Sequence, residues 1–469
     1  MTIGFPAKET APMPNSQYLH PDCPDWRLLG PTATDAAIRA HSDIVVEQQK
    51  AKQQVWAGGF TRRRMLQGGA MAGVAAFGSQ LVTTQVSYAA PGSVDTGALI
   101  VVFLRGGMDG LSVLVPARDE ALIAARPAIK VGEAGLLQIG GPGPAERTFG
   151  LHPALAALKP MLDAGKIAAV PAISTPDLTA SHFQAQDCLE RGGSSGSPLQ
   201  TGWLSRALER SGPGTTWRGL GTGYQLDRSL TGPTNSIAVP ELKDFKIRVD
   251  DSMLDATRTA LGNLYTGLDH PVATQTNLAL TASGEAQALA AAEASSISRG
   301  FPDNGFARDL ATLSTLIRGD VGVRVGTVDL GGWDMHTQLG TPDKGDMKNM
   351  LTELGGALAA FFKDLGAKAE TTTVVVMSEF GRRIDENEGG GVDHGHGGLA
   401  LVMGGGVKGG VHGSWKGLDK AVQDYGNVPG TNDFRDLLGE VVMKRLNLTT
   451  TDAGFIFPDW TVSELGVMV

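Results

Sequence analysis

The sequence predicts an α/β fold in which a doubly wound, mostly parallel sheet lies between two layers of helices. Short runs of β-branched and aliphatic residues alternate with amphipathic stretches from about residue 98 onward. Several of these runs end in glycine pairs or triplets, and glycine makes up 64 of the 469 residues. Such glycines indicate tight turns and close backbone approaches rather than disorder. We therefore expect a compact α/β/α sandwich over residues 91–469.

The apolar runs define the expected elements. Predicted strands are 98–104, 167–173, 323–330, 371–376 and 399–403. Predicted helices are 154–164, 181–190, 278–298, 305–317, 343–365 and 432–446. The stretch around 192–300 has Gly/Ser loops and an alanine-rich helical region but no motif. We interpret it as an insertion or cap that covers the sheet.

The first ninety residues differ in character from the rest of the chain. Residues 1–60 are polar and lack a lasting apolar period, which favours a disordered leader. Residues 61–90 combine paired arginines, a moderately apolar run rich in glycine and alanine, and a small-residue segment ending in Ala90. This pattern resembles a twin-arginine signal peptide. The run is too weakly apolar for a good membrane anchor, so no permanent anchor is expected.

Charge and cysteine content agree with export. The twin-arginine translocase would deliver the protein to the periplasm, the cell wall or the medium. The net charge of −9 argues against nucleic acid as a partner. Cleavage of the signal would remove Cys23 and leave only Cys188, so no internal disulfide is expected. Proteins exported while folded can load metal in the cytosol, and metal binding then contributes to folding.

Acidic and imidazole side chains follow three of the predicted strands. Asp109 follows the first strand, Asp334 and His336 follow the strand at 323–330, and Glu379 follows the strand at 371–376. The stretch after Glu379 also contains further candidate site residues: Arg382, Asp393, His394 and His396. Because the carboxyl ends of parallel strands share one edge of the sheet, we expect these groups to meet there. The structural alternative is that the aspartates cap turns and the histidines lie in the core.

Mixed carboxylate and imidazole ligands suit Zn²⁺ or Mn²⁺ better than an all-oxygen calcium site. The set is large enough for two divalent ions, and two ions about 4 Å apart can clamp the attacking and leaving oxygens of an in-line displacement. Arg382, and with less support Arg105, is a candidate to hold an anionic ester oxygen. The predicted reaction is therefore hydrolysis or transfer of a small phosphate or sulfate ester.

Ser181 lies at the predicted start of the helix 181–190. It is either an ordinary helix N-cap or a nucleophile at the positive end of the helix, beside the metals. The sequence is equally compatible with a site role and a structural role for His182, the next residue.

Six motifs in this order resemble a known family: VVFLRGGMDGLSVLVP, ASHFQAQD, GGWDMHTQ, SEFGRR, DHGHGG and MGGGVKGG. The chain resembles the exported proteins of unknown function grouped as domain of unknown function 1501, within the alkaline phosphatase and sulfatase superfamily. The resemblance implies an alkaline phosphatase-like sandwich with a two-metal site. It assigns Asp109 and Glu379 to one ion, and Asp334, His336 and His394 or His396 to the other. It places Ser181 near the nucleophile position.

The resemblance favours an exported metal-dependent hydrolase of phosphate or related esters. Cys188 lacks the Cys-x-Pro-x-Arg context of a cysteine-type sulfatase, and Glu379-Phe380 stands where the superfamily usually has Asp-His. This departure leaves open a non-catalytic exported protein that keeps the fold for binding or assembly. A redox metalloenzyme is a third alternative.

Overall fold

The computed structural model describes residues 97–139, 149–194, 198–247, 249–265 and 271–469. The predicted leader and signal peptide lie outside the described residues. Within these ranges the strands are β1 (Ala98–Leu104), β2 (Leu114–Pro116), β3 (Leu137–Gln138), β4 (Phe149–Leu151), β5 (Ile167–Ser174), β6 (Gly219–Thr222), β7 (Ile237–Val239), β8 (Val325–Leu330), β9 (Thr372–Met377), β10 (Gly398–Gly404), β11 (Gly410–Val411) and β12 (Asn432–Asp433).

The α-helices of the described residues are α1 (Gly110–Val113), α2 (Glu120–Ala125), α3 (Lys159–Asp163), α4 (His182–Arg191), α5 (Trp203–Arg210), α6 (Leu254–Tyr265), α7 (Pro271–Ala292), α8 (Gly305–Arg318), α9 (Asp346–Leu365), α10 (Phe434–Leu446) and α11 (Thr450–Ile456). Among the described residues, no helix combines the length and the apolar character that a membrane crossing needs.

One sheet of nine strands dominates the structure. Its order is β11-β5-β10-β9-β1-β8-β6-β7, and β12 also pairs with β5. Only β10 is antiparallel to its neighbours, β5 and β9; the other pairings are parallel. The predicted α/β class with a mostly parallel sheet is therefore confirmed.

The central strand β1 shows why the sheet has helices on both faces. All seven of its residues are buried, and alternate side chains enter two different cores, as the two-residue period of a strand requires. Ile100 and Val102 lie in the core shared with α8 and α9. Leu99 and Val101 lie in the core shared with α5 and α10. Removal of this much apolar surface from water is the main source of the fold's stability.

The region interpreted as an insertion contributes to the main sheet. Strands β6 and β7 extend the sheet beyond β8, which the sequence analysis did not predict. These strands have only four and three residues, and β6 reads Gly-Leu-Gly-Thr. Such short, glycine-rich segments carry no detectable period. The chain also ends with a further helix, α11, beyond the predicted last one.

The antiparallel strand β10 has a consequence for the site. Because β10 runs against β9, its amino end lies at the same sheet edge as the carboxyl ends of β1, β5, β8 and β9. The connection between β9 and β10 therefore starts and finishes at this edge, and it holds the SEFGRR and DHGHGG motifs.

Candidate metal centre

Side chains from three loops meet in a buried cluster at the carboxyl edge of the sheet. The loop after β5 and the first residue of α4 supply His182. The loop after β8 supplies Asp334 and His336, and the β9–β10 connection supplies His394. All four residues are at most 8% exposed.

The three imidazoles converge on a single oxygen. The Nε2 atoms of His182, His336 and His394 lie 3.5, 3.1 and 3.3 Å from Oδ1 of Asp334. His182, Asp334 and His394 form a group whose ligand atoms all lie within 4.8 Å of one another.

The other nitrogen of each ring faces a hydrogen-bond acceptor. Nδ1 of His182 lies 2.8 Å from Oε1 of Glu379, and Nδ1 of His336 lies 3.0 Å from Oδ1 of Asp393. Nδ1 of His394 lies 2.6 Å from the carbonyl oxygen of residue 180. Ionised carboxylates and carbonyls only accept, so each ring donates its Nδ1–H to them. In the neutral rings the Nε2 lone pairs then point at Asp334. Such acceptors behind the ring are typical of histidines that bind metal, because they fix the tautomer and raise the basicity.

Lone pairs that face a carboxylate oxygen repel it unless a proton or a cation lies between them, and Nε2 of His336 also faces Arg382 Nη1 at 3.4 Å. Nitrogen and oxygen atoms about 2.0–2.1 Å from a tetrahedral Zn²⁺ are about 3.3 Å apart, and the observed separations of 3.1, 3.3 and 3.5 Å lie around this value. His182, His394 and Asp334 therefore fit one divalent ion as they stand, and His336 lies next to them as a candidate fourth ligand.

The charges of the surroundings also fit a divalent ion. Arg382 donates to Oδ1 of Asp334 at 2.7 Å. With neutral imidazoles, the guanidinium and a divalent ion carry three positive charges. These balance the buried carboxylates of Asp334 and Glu379 and the carboxylate of Asp393, whose side chain is 53% exposed. A buried group of charges is tolerated only when it is balanced in this way.

The carboxylates of the cluster are held ionised. Burial alone would raise the pKa of Asp334, but when no ion is bound and the Nε2 atoms carry protons, hydrogen bonds from His182, His336 and His394 and the charge of Arg382 hold it far below its usual range. Burial opposes ionisation of Glu379 too, but when no ion is bound the hydrogen bond and the charge of a protonated His182 outweigh it and lower this pKa well below its usual range.

Arg382, predicted to hold a substrate, is fully occupied within the protein. Its Nε donates to the carbonyl of Gly107, its Nη1 to Val392, and its Nη2 to Trp333 and to Asp334. It is 1% exposed. Arg382 therefore ties three loops together and fixes Asp334, and an ester could reach it only by displacing these bonds.

Asp109 and Glu379, predicted as ligands of one ion, are likewise engaged by protein donors. Asp109 forms a two-point ion pair with Arg126, with distances of 2.5 and 2.9 Å. Glu379 accepts from the Gly106 amide, from His182, from Gln186 and from Ser378. Glu379 therefore contacts the cluster through Nδ1 of His182, the ring nitrogen that faces away from Asp334.

The remaining predicted residues lie at the edge of the cluster or outside it. His396 faces away: its Nε2 is 3.1 Å from the carbonyl of Thr175, and its Nδ1 is 3.9 Å from Asp424. Ser181 is the N-cap residue of α4, and its side chain makes no capping hydrogen bond. Its neighbours are Ala180, whose carbonyl accepts from His394, and His182.

Sequence reasoning left His182 open and gave no role to Gln186. The sequence could have identified His182 as a ligand, because it stands at the start of a helix that follows a predicted strand end, where the other ligands also lie. No such pattern marks Gln186. One helical turn beyond His182, it donates to Glu379 at 3.0 Å and faces Arg105 Nη1 at 3.4 Å.

The backbone of Ala180 is strained. Its φ is +55°, a left-handed conformation that costs an alanine about 1 kcal/mol or more. The carbonyl of this residue is the acceptor for His394 Nδ1 at 2.6 Å. Strain of this kind persists only where the surroundings enforce it, and it is often found at functional sites.

Next to the cluster, three carboxylates share one guanidinium. Arg105 contacts Glu190 at 2.5 Å, Asp227 at 3.0 Å and Asp329 at 3.0 Å. Burial raises the pKa of Asp227 to about 8, and the charges of Asp329 and Glu190 act in the same direction against the charge of Arg105. One cation cannot balance three anions, so the folded protein holds a proton here.

This network predicts a pH-dependent stability. The folded-state pKa of Asp227, about 8, exceeds the unfolded value of about 4. The folded state therefore binds the extra proton, and the contribution to the unfolding free energy is lost as the pH rises from about 4 to about 8. Asp227→Asn cannot ionise, so the variant should gain stability relative to the wild type between pH 5 and pH 9.

The measurement is the thermal midpoint of both proteins across this pH range. Asp163→Asn is the control, because Asp163 is exposed and pairs only with Lys159, and it should follow the wild type. If the difference between Asp227→Asn and the wild type is the same at both pH values, the assignment of the proton to this network is wrong.

Comparison with known proteins bears on the family of the chain. A family model described as "Protein of unknown function (DUF1501)" matches residues 168–438. No curated protein matches the chain. Among solved structures, the chain is similar to BT1596, a 2-O GAG sulfatase, with 10% identity and a TM-score of 0.32 over 66% of this chain and 65% of that one. The alignment thus spans slightly less than two thirds of that sulfatase.

Two further structures show similarity of the same order. The C-terminal periplasmic domain of EcEptC from Escherichia coli has 10% identity and a TM-score of 0.33, over 81% of this chain and 92% of that one. A protein in the alkaline phosphatase superfamily from Vibrio parahaemolyticus has 11% identity and a TM-score of 0.29, over 75% and 71%. Because all three TM-scores are below 0.5, these similarities carry no conclusion about the chain.

Proposed function

We propose that this chain, which belongs to the DUF1501 family of proteins of unknown function, is an exported metal-dependent hydrolase of phosphate or related esters. The observation that carries the proposal is the convergence of three histidine Nε2 atoms on Oδ1 of Asp334, with each Nδ1 turned to an acceptor. The export route is the twin-arginine translocase, and the substrate is a small anionic ester.

The cation would be held by His182, His336, His394 and Asp334. Zn²⁺ and Mn²⁺ are the ions that best suit three imidazoles and a carboxylate. When bound, such an ion supplies Lewis-acid polarisation of an ester oxygen and a lower pKa for a coordinated water. The position supports this role, because ligand sites of α/β proteins lie beyond the carboxyl ends of the strands.

The protein groups around the ligands keep them in place. Glu379 and Asp393 orient the rings of His182 and His336. Arg382 holds Asp334 and the loops after β1 and β8. Burial of the four ligands excludes water, which strengthens every electrostatic interaction in the site. The residues are therefore positioned before any ligand arrives.

Ser181 is the candidate nucleophile. It stands between two residues that contact the cluster, at the amino end of α4, where the helix dipole favours negative charge. Its hydroxyl is not used as a helix cap, and the residue is only partly buried. A serine in this position can attack an ester while the positive helix end stabilises the developing charge.

The experiment is turnover of aryl phosphates, diesters and sulfates by the metal-loaded protein. Ser181→Ala is expected to lower the rate at least about 100-fold, because the loss of a nucleophile removes the covalent route. Its metal content should not change. Ser211→Ala is the matched control: this half-buried serine ends α5 and should leave the rate unchanged. Equal rates for Ser181→Ala and wild type would remove Ser181 from the mechanism.

The closed ligand set favours a second function, a non-catalytic exported binding or assembly protein. With His336 bound as well, four protein ligands complete a tetrahedral shell, as in structural zinc sites, whereas catalytic sites keep one position open. Under this alternative the ion stabilises the fold, so a chelator lowers the thermal midpoint. A metal-loaded protein that turns over none of the esters would favour this alternative over the hydrolase.

A further inference from the structure

Arg126 already neutralises the carboxylate of Asp109. Its Nη1 and Nη2 bind Oδ2 and Oδ1 at 2.5 and 2.9 Å, and both side chains are 2% exposed. The other guanidinium donors are also used, by the carbonyl oxygens of Ile384 and Arg383 and by the hydroxyl of Ser112. A guanidinium has five N–H groups, so Arg126 is a fixed part of the structure.

Glu379 is strongly engaged by protein donors, and its Oε1 has no acceptor capacity left for an ion. Its Oε1 receives the amide of Gly106 at 2.9 Å, His182 at 2.8 Å and Gln186 at 3.0 Å. Its Oε2 receives Ser378 at 2.7 Å. Each carboxylate oxygen offers two lone-pair directions, so the three donors on Oε1 saturate that oxygen, whereas Oε2 has one protein donor, which the carbonyl of Leu104 shares.

A second fixed guanidinium lies between Asp109 and the three-histidine centre. Arg382 donates to the carbonyl of Gly107, two residues before Asp109, and to the carboxylate of Asp334. An ion bound at Asp109 would therefore face two buried guanidinium groups, and these already pair with the carboxylates of Asp109 and Asp334.

We propose that the protein binds a single cation, at the three-histidine centre. At Asp109, the guanidinium of Arg126 occupies the position that a second ion would take. The inference rests on the proposed function, since both require the ion at Asp334. It proposes one ion where the sequence predicted two, because the predicted ligands Asp109 and Glu379 are engaged by protein donors.

The test is the metal content of the protein purified after export without chelators, saturated with Zn²⁺ and then desalted. The expected value is one equivalent per chain. Asp109→Asn should also keep one equivalent, because asparagine can still accept from Arg126 and the residue is not a ligand. Asp334→Asn should fall well below one. A calorimetric titration of the wild type with Zn²⁺ gives the same count independently if Asp109→Asn fails to fold.

The outcomes separate this inference from the proposed function. Two equivalents in the wild type, with one lost in Asp109→Asn, would overturn the single-ion inference and leave the metal-dependent function standing. No bound metal in the wild type would overturn both.

Discussion

His394→Ala is expected to lose the bound ion, whereas His396→Ala should keep it. The two histidines stand two residues apart in the same loop, but only Nε2 of His394 faces Asp334, at 3.3 Å. Nε2 of His396 is bound to the carbonyl of Thr175. Structural zinc sites gain about 10–16 kcal/mol of binding free energy, so one of four ligands is worth about 3 kcal/mol, or about 100-fold in affinity.

The measurement is competition for Zn²⁺ against a chromophoric chelator, for both variants and the wild type. The His396→Ala variant is the matched control, because it removes the same chemical group from the same connection between β9 and β10. Equal losses of affinity in the two variants would show that the loop as a whole, and not His394 as a ligand, determines binding.

Arg126→Met is expected to destabilise the protein strongly. The substitution leaves Asp109 ionised, 2% exposed and without its two-point partner. It also leaves the carbonyls of Arg383 and Ile384 without their donor. Removal of one partner of a buried ion pair costs about 3–5 kcal/mol. The side chain of methionine is of similar length, so the loss of packing is kept small.

Arg118→Met is the matched control for this effect. Arg118 pairs with Glu133 at 2.7 Å, but the two side chains are 62% and 47% exposed, and exposed ion pairs contribute only about 0–1 kcal/mol. Thermal or denaturant unfolding of both variants tests the difference. Similar stabilities of the two would mean that the Asp109–Arg126 pair has no structural role.

Much of the sheet could be predicted from the sequence because its strands are long and apolar. The run 98–104 is observed as β1 (Ala98–Leu104), and the run 371–376 as β9 (Thr372–Met377). The strands β6 and β7 were missed because three or four residues show no period. The apolar pattern also cannot predict the direction of β10, because a buried strand has the same apolar sequence in either direction.

The site was only partly accessible from the sequence, for physical reasons. The prediction that strand-end groups meet brought Asp334, His336 and His394 together, because topology fixes where strand ends lie. Whether a carboxylate is free for an ion depends on donors far away in the chain. Arg126 occupies Asp109, and Gly106 and Gln186 occupy Glu379; no local pattern records these pairings.

The most direct test of the three-histidine centre is anomalous diffraction at the zinc edge from crystals grown with Zn²⁺. We expect one strong peak, about 2.0–2.2 Å from Nε2 of His182, His336 and His394 and from a carboxylate oxygen of Asp334. A metal-free cluster in the zinc-saturated crystal, or a peak on Asp109 and Glu379 instead, would contradict the assignment.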